Sequence, residues 1–305
     1  MFSYVLRRVL FIPPVLLVGS LVSFLLILSA KGGPFDQERA YPPQVLENLN
    51  KKFHLGDPVI TQYGIYLRGL LRGDMQISLK YRNRTVSEII AQTFPVSLGL
   101  GLVALAIALA IGISAGTIAA VRHNSPVDHA AMTLAMVGIS IPNFVMGPVL
   151  ILLLVFWLRL LPVGGWGSVG QIPMPAIVLG LPYAAYIARL SRAGMLDVVR
   201  QDYMRTAKAK GLRASSVIVK HGLKNAMLPV ISFLGPATAG IVTGSVVVEK
   251  LFEVPGIGTF FVNSALNRDL FVEMGILLLY ASLLLVLNLA VDVAYTFVDP
   301  RVELG

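Results

Sequence analysis

Residues 97–120 read SLGLGLVALAIALAIGISAGTIAA, a run without a single charged side chain. At a helical rise of about 1.5 Å per residue it is about 36 Å long. That exceeds the hydrocarbon core of a bilayer, which is about 30 Å thick. Inside lipid, every backbone N–H and C=O must be paired within the segment, so such a run reads as a helix. Working outward, comparable apolar runs fall at about 9–30, 131–157, 172–190, 229–248 and 274–298, none with a charge near its middle. The sequence therefore predicts an all-α membrane protein with six transmembrane helices. Prolines interrupt several of the runs (Pro142 and Pro148, Pro182, Pro236). In spanning helices proline commonly gives a kink that neighbouring helices accommodate.

Composition points the same way. Of 305 residues 56% are hydrophobic and only 13% charged, with a mean hydropathy of +0.76. A soluble domain carries roughly a quarter of its residues charged. The chain has no cysteine, which removes disulfides, thiolate metal sites and cysteine nucleophiles. Its formal net charge of +9 suits basic loops on the cytoplasmic side better than nucleic acid.

Arg7 and Arg8 before the first run resemble the start of a signal peptide. The run exceeds the roughly 7–15 apolar residues of a signal core, so it is read as a span. Six crossings place both termini on one side, with Arg7, Arg8, Arg122, Arg301 and the basic segment from Arg189 to Lys224. The short loops of the other side carry only Arg159, Lys250 and Arg268. By the positive-inside rule both termini are cytoplasmic. The chain divides into a tail and first span over 1–30, an external periplasmic cap over 31–95, and a five-helix core over 96–305. In the cap, Pro43–Phe53 and Ile60–Leu71 have amphipathic helical spacing.

The cytoplasmic segment 191–228 is too polar to cross. Helical pieces are expected on either side of Gly211, from about Met195 to Lys210 and from about Ala214 to Asn225. Leu196, Val199, Met204, Ala207, Val217, Ile218 and Leu223 would pack under the bundle and leave the basic side chains outside. One reading is a loop kept basic by topology or by anionic lipid; the other is a docking site for a second protein. Gly112 with Gly116, and Gly240 with Gly244, are small-residue pairs at GxxxG spacing. They suit close packing of helices within the bundle, a subunit interface or a moving gate.

The residues Asp202-Tyr203-Met204-Arg205-Thr206-Ala207-Lys208-Ala209-Lys210-Gly211-Leu212 resemble the EAA loop of ATP-binding-cassette (ABC) importer permeases. His221, Asn225 and Leu228-Pro229 continue it at the spacing of the oligopeptide/dipeptide/nickel branch. The general pattern opens Glu-Ala-Ala, whereas Arg205-Thr206-Ala207 stands here. Further landmarks of the branch are Phe53-His54-Leu55-Gly56-Asp57-Pro58, Phe94-Pro95-Val96-Ser97, Gly235-Pro236, Pro255-Gly256-Ile257-Gly258, Asn267-Arg268-Asp269 and Asp299-Pro300-Arg301. The resemblance covers nearly the whole chain, with the B-type subunits of the oligopeptide branch nearest. It implies a type I ABC-importer permease fold in the bacterial inner membrane. It also implies a homologous second permease, two cytoplasmic ATPases that bind ATP and magnesium, and an external peptide-binding protein. Tyr203, Arg205, Thr206, Ala207, Lys208, Lys210, Gly211 and Leu212 would form the coupling helix and its turn. Short peptides are the implied cargo, with dipeptides, glutathione and nickel chelates carried by related permeases, and alternating access the implied mechanism.

The chain has no GxxxxGK[ST] loop and no HExxH, so neither ATP cradling nor that zinc chemistry is its own. His54, His123, His129 and His221 share no metal-ligand spacing, and His123 and His129 read as solvated turn residues. The expectation is a non-catalytic subunit that holds no cofactor or metal. Asp292 is the one acid well inside an apolar run, and it reads as a structural ion pair with Arg7, Arg8 or Arg189. The competing reading is a proton relay in a secondary transporter.

Overall fold

A computed structural model of the chain describes residues 2–29, 35, 43–81, 83–243 and 245–298. Among these residues the regular secondary structure is helical, apart from one isolated β-bridge between Ile77 and Thr85. The helices are α1 (Phe2–Ser29), α2 (Pro43–Lys52), α3 (Val59–Leu70), α4 (Val86–Val121), α5 (Pro126–Ser140), α6 (Asn143–Leu150) and α7 (Pro173–Val199). Then come α8 (Asp202–Ala209), α9 (Ala214–Ser216), α10 (Lys224–Ala226), α11 (Leu228–Thr243), α12 (Val246–Leu251), α13 (Ile257–Asn267) and α14 (Leu270–Val298). Among the described residues five segments are long and apolar enough to cross a membrane (Val5–Ser29, Val86–Val121, Val169–Val199, Leu228–Leu251 and Leu270–Val293), and Pro126–Ser140 with Asn143–Trp157 makes a sixth if that bent pair is one span.

The third apolar run, expected as one kinked helix over 131–157, is instead broken. α5 and the segment Asn143–Trp157 meet at 116°. Ile141 and Pro142 both take extended backbone at the break. A residue before proline is pushed out of the α region, and proline brings no N–H to rejoin the ladder. Pro182 and Pro236, by contrast, lie inside unbroken helices. Beyond α6 the chain continues as a π-helix over Ile151–Trp157. The two amphipathic stretches expected in the cap are α2 and α3.

The chain forms two units, Phe2–Val96 with Pro255–Leu285, and Ser97–Val254 with Val286 onward. In the first, Phe24, Tyr66, Ile89, Ile257, Phe271 and Met274 share one buried core. The rings of Tyr66 and Phe271 stack at 6.4 Å. Asp269, fully buried, gathers the loop before α4: it accepts from Ser78 Oγ, from Leu79 N at 3.1 Å and from Lys80 N at 3.2 Å. With Val272 N donating at 3.4 Å as well, these donors compensate for taking the charge of the carboxylate out of water.

In the second unit α7 is the trunk against which α4, α5, α6 and α11 pack. The α4 contact has no room for side chains. A Cβ on Gly112 would stand 2.7 Å from the Ala184 carbonyl oxygen, and one on Gly116 would strike the Ala188 carbonyl. A Cβ on Gly180 would stand 2.6 Å from the Ala104 carbonyl. Gly240 faces Tyr183, whose hydroxyl lies 2.6 Å from the position a Cβ would take. Gly244 lies outside the described residues. Such close approach is how helices gain packing in lipid, where apolar burial between them drives little.

Gly116→Ala is expected to destabilise by about 1–3 kcal/mol, because backbone on both sides must shift. Gly64→Ala, inside α3 with nothing near its Cβ position, is expected to stabilise by about 0.5–1 kcal/mol. Thermal melting of the detergent-purified protein measures both.

Candidate functional site

The segment between α7 and α11 is built around one two-faced helix. α7 ends at Val199, and Gln201 turns to extended backbone before α8 begins. The expected single piece from Met195 to Lys210 is thus two, with Met195–Val199 belonging to the long span and α8 standing alone. Lys210 ends α8, and Gly211 follows at φ +77° with open space about its Cβ position. That left-handed backbone strains any residue with a side chain. The chain then returns through α9, a π-helical turn over Val217–Leu223 and α10 to α11.

α8 is held by a small apolar cluster. Met204 and Ala207 are buried with Met195, Val198, Val217, Ala226 and Ala120, and Leu196, Val199 and Ile218 pack at the edge. The return strand of helix is pressed close: a Cβ on Gly194 would strike the Ala226 carbonyl, and one on Gly222 would stand 2.8 Å from Met195 Cε. Asn225 Nδ2 donates to Tyr203 Oη at 2.9 Å, tying the exposed edge of α8 to the returning chain.

The other face of α8 is open. Tyr203, Arg205, Thr206, Lys208, Lys210, Gly211 and Leu212 are all exposed. Arg205 pairs with Asp202 at 3.4 Å, within its own helix, and Thr206 Oγ1 donates to the Asp202 carbonyl. Of the residues expected on the docking surface, Ala207 is the exception: it faces inward and anchors the helix rather than presenting to a partner.

Arg189 is exposed and forms no ion pair among the described residues, while Asp292 lies half-buried in α14. A buried ion pair lies one helical turn along α7. Arg192 Nε donates to Asp128 Oδ1 at 2.6 Å and Nη2 donates to Oδ2 at 2.7 Å. The Asp128 side chain is 1% exposed. His123 is exposed in the turn between α4 and α5, as the sequence suggests, and also lies with Nδ1 3.2 Å from Arg192 Nη2 and 3.4 Å from Asp128 Oδ2. Asp128 lies before the apolar run that begins at about residue 131, so nothing in the sequence marks it as buried. No cluster of His, Asp and Glu suited to a metal occurs among the described residues.

Residues 112–304 match the family described as "Binding-protein-dependent transport system inner membrane component". The chain belongs to that family. It is thus a multi-pass inner-membrane permease subunit of an ABC importer. It is similar along its length to the oligopeptide transport system permease protein OppB of Haemophilus influenzae, with 43% identity over 99% of this chain and 100% of that one. OppB of Escherichia coli K12 shows 43% identity at the same coverage. The dipeptide transport system permease protein DppB of Bacillus subtilis is 42% identical, over 100% of this chain and 99% of its own. Among solved structures, the inward-facing MetNI methionine ABC transporter superposes with a TM-score of 0.58 at 15% identity. That match covers 69% of this chain and 96% of the other, and it shows a shared fold.

Within this permease, Met204→Ala removes the side chain that seats α8. It is expected to cost that contact about 2–5 kcal/mol, read as faster hydrogen exchange of the α8 amides. Arg205→Ala, on the open face, is expected to leave their exchange unchanged.

Proposed function

We propose that this chain is one of two membrane subunits through which an ATP-driven importer passes short peptides into the cell. The observation that carries the reading is the division of α8: Met204 and Ala207 are seated in the chain's own core, and a row of basic and apolar side chains is left facing outward. A helix held so firmly on one face and so bare on the other suits transmission of force from a partner.

In this reading the loop 191–228 and both termini are cytoplasmic, as the distribution of Arg and Lys favours. One of two ATPases receives α8 in a groove, with Arg205, Lys208 and Lys210 meeting acidic groups by charge-assisted hydrogen bonds. Tyr203 and Leu212 supply the apolar part of the contact. Gly211 permits the turn that lets the helix project. A homologous second permease completes the pathway, and an external binding protein delivers cargo to the periplasmic side, where residues 31–95 form the cap. ATP and magnesium belong to the ATPases. Oligopeptides are the cargo that the similarity to OppB supports best; the similarity to DppB keeps dipeptides as the second choice.

The test replaces Arg205–Lys210 by a scrambled sequence and, separately, Gly211 by Asp. Both variants should insert and retain the second permease but release the ATPases on co-purification, and peptide uptake should fall to background. Retention of the ATPases by the scrambled variant would refute the docking surface.

A further inference from the structure

The ion pair of Asp128 and Arg192 has a geometry that stability alone does not call for. Its partners are 64 residues apart, on the first turn of α5 and near the end of α7. The carboxylate is fixed before the arginine reaches it: Asn124 N donates to Asp128 Oδ2 at 3.0 Å, and Ser125 Oγ accepts from Asp128 N at 3.3 Å. Asn124 itself turns at φ +59°. With His123 Nδ1 also within 3.2 Å of Arg192, the guanidinium holds both sides of the turn between α4 and α5. A rigid two-pronged fork sets angle and register as well as distance. Apolar residues of similar size commonly serve stability as well as a buried ion pair does. What they lack is the fixed register.

The position of the pair matters as much. Arg192 lies one turn before Met195, whose methyl group, with that of Met204, closes over Gly222. From the pair, α5 runs along α7, where Gly138 meets Ala185. It ends at the 116° break at Ile141–Pro142. One end of α5 is therefore clamped beside the seat of α8, and the other meets the next helical segment at the break.

We propose that Asp128 and Arg192 are positioning residues that lock α5 to the end of α7, so that displacement of α8 turns α5 as one body about Pro142. The inference rests on the docking role of α8. Displacement reaching α7 alone would otherwise be lost in sliding at the α5 contact. With the pair in place, it is delivered to the break in the third apolar segment.

The experiment uses the whole complex in proteoliposomes, with a fluorescent tripeptide as cargo and peptide taken up per ATP as the readout. D128N and R192Q each leave an uncompensated partner and should lower the melting temperature of the complex. The apolar pair D128L/R192M should restore melting and keep the ATPases bound. Its peptide-per-ATP ratio should nonetheless stay roughly fivefold or more below that of the unsubstituted complex. A normal ratio in D128L/R192M would overturn the proposal, because the pair would then serve stability only. Loss of the ATPases from that variant would overturn it too, since the pair would then act on docking. Should the apolar pair not assemble, R192K decides: charge without the fork is expected to lower the ratio with little change in melting, and a normal ratio overturns the lock. Failure of the docking reading is seen separately, as ATPases retained by the scrambled α8.

Discussion

The contact between α4 and α7 admits no side chain on the α4 side at Gly112 and Gly116, and α7 carries most of what its unit presents. Two helices in lipid gain little from hiding apolar surface from each other, so they must gain from contact distance. Glycine gives the closest distance available. Once α4 lies against the carbonyls of Ala184 and Ala188, the direction of α7 is set. The seat for α8 follows from it, because Met195 and Val198 are buried further along the same helix.

Polar chemistry completes what the glycines begin, and it does so at helix ends. Asp128 and Arg192 join the first turn of α5 to the last turns of α7. Asp269, at the start of α14, does comparable work in the other unit by collecting the Ser78–Lys80 loop. In both cases a fully buried carboxylate is surrounded by donors fixed in place by the backbone or by a guanidinium fork. Such groups are costly to bury without partners and specific when satisfied. The spans themselves carry almost none of this chemistry. What they offer the bilayer is a row of exposed apolar side chains such as Leu26, Leu134, Leu152 and Phe156.

Much of this was legible in the residues, and the reasons for success and failure are physical. A run such as 97–120 announces a span because length and absence of charge together leave lipid as the only fitting solvent. Gly211 announced its turn because it stands between two amphipathic pieces. Pro142 announced a disturbance of the helix, and its effect on Ile141 follows from the same ring, but the 116° size of the bend is set by packing. The break at Arg200–Gln201 has neither glycine nor proline to mark it. The pairing of Asp128 with Arg192 joins residues 64 positions apart, and nothing local to either residue reports it. Ala207 matches the family pattern of the docking helix, but its helical spacing with Met204 already places it under the bundle, and there it is buried. Cargo left no trace of this kind: a pathway that lets hydrated peptides pass needs few specific contacts, and none is written in the spans.

Because the chain has no cysteine, a single thiol placed at Leu212 reports on the central claim without interference. Leu212→Cys, in membranes containing the whole complex, is treated with a membrane-impermeant maleimide. The account predicts labelling in inside-out vesicles only, with strong protection when the ATPases are bound and full labelling once they are stripped away. Labelling from the outside of intact cells, or labelling indifferent to the ATPases, would contradict it.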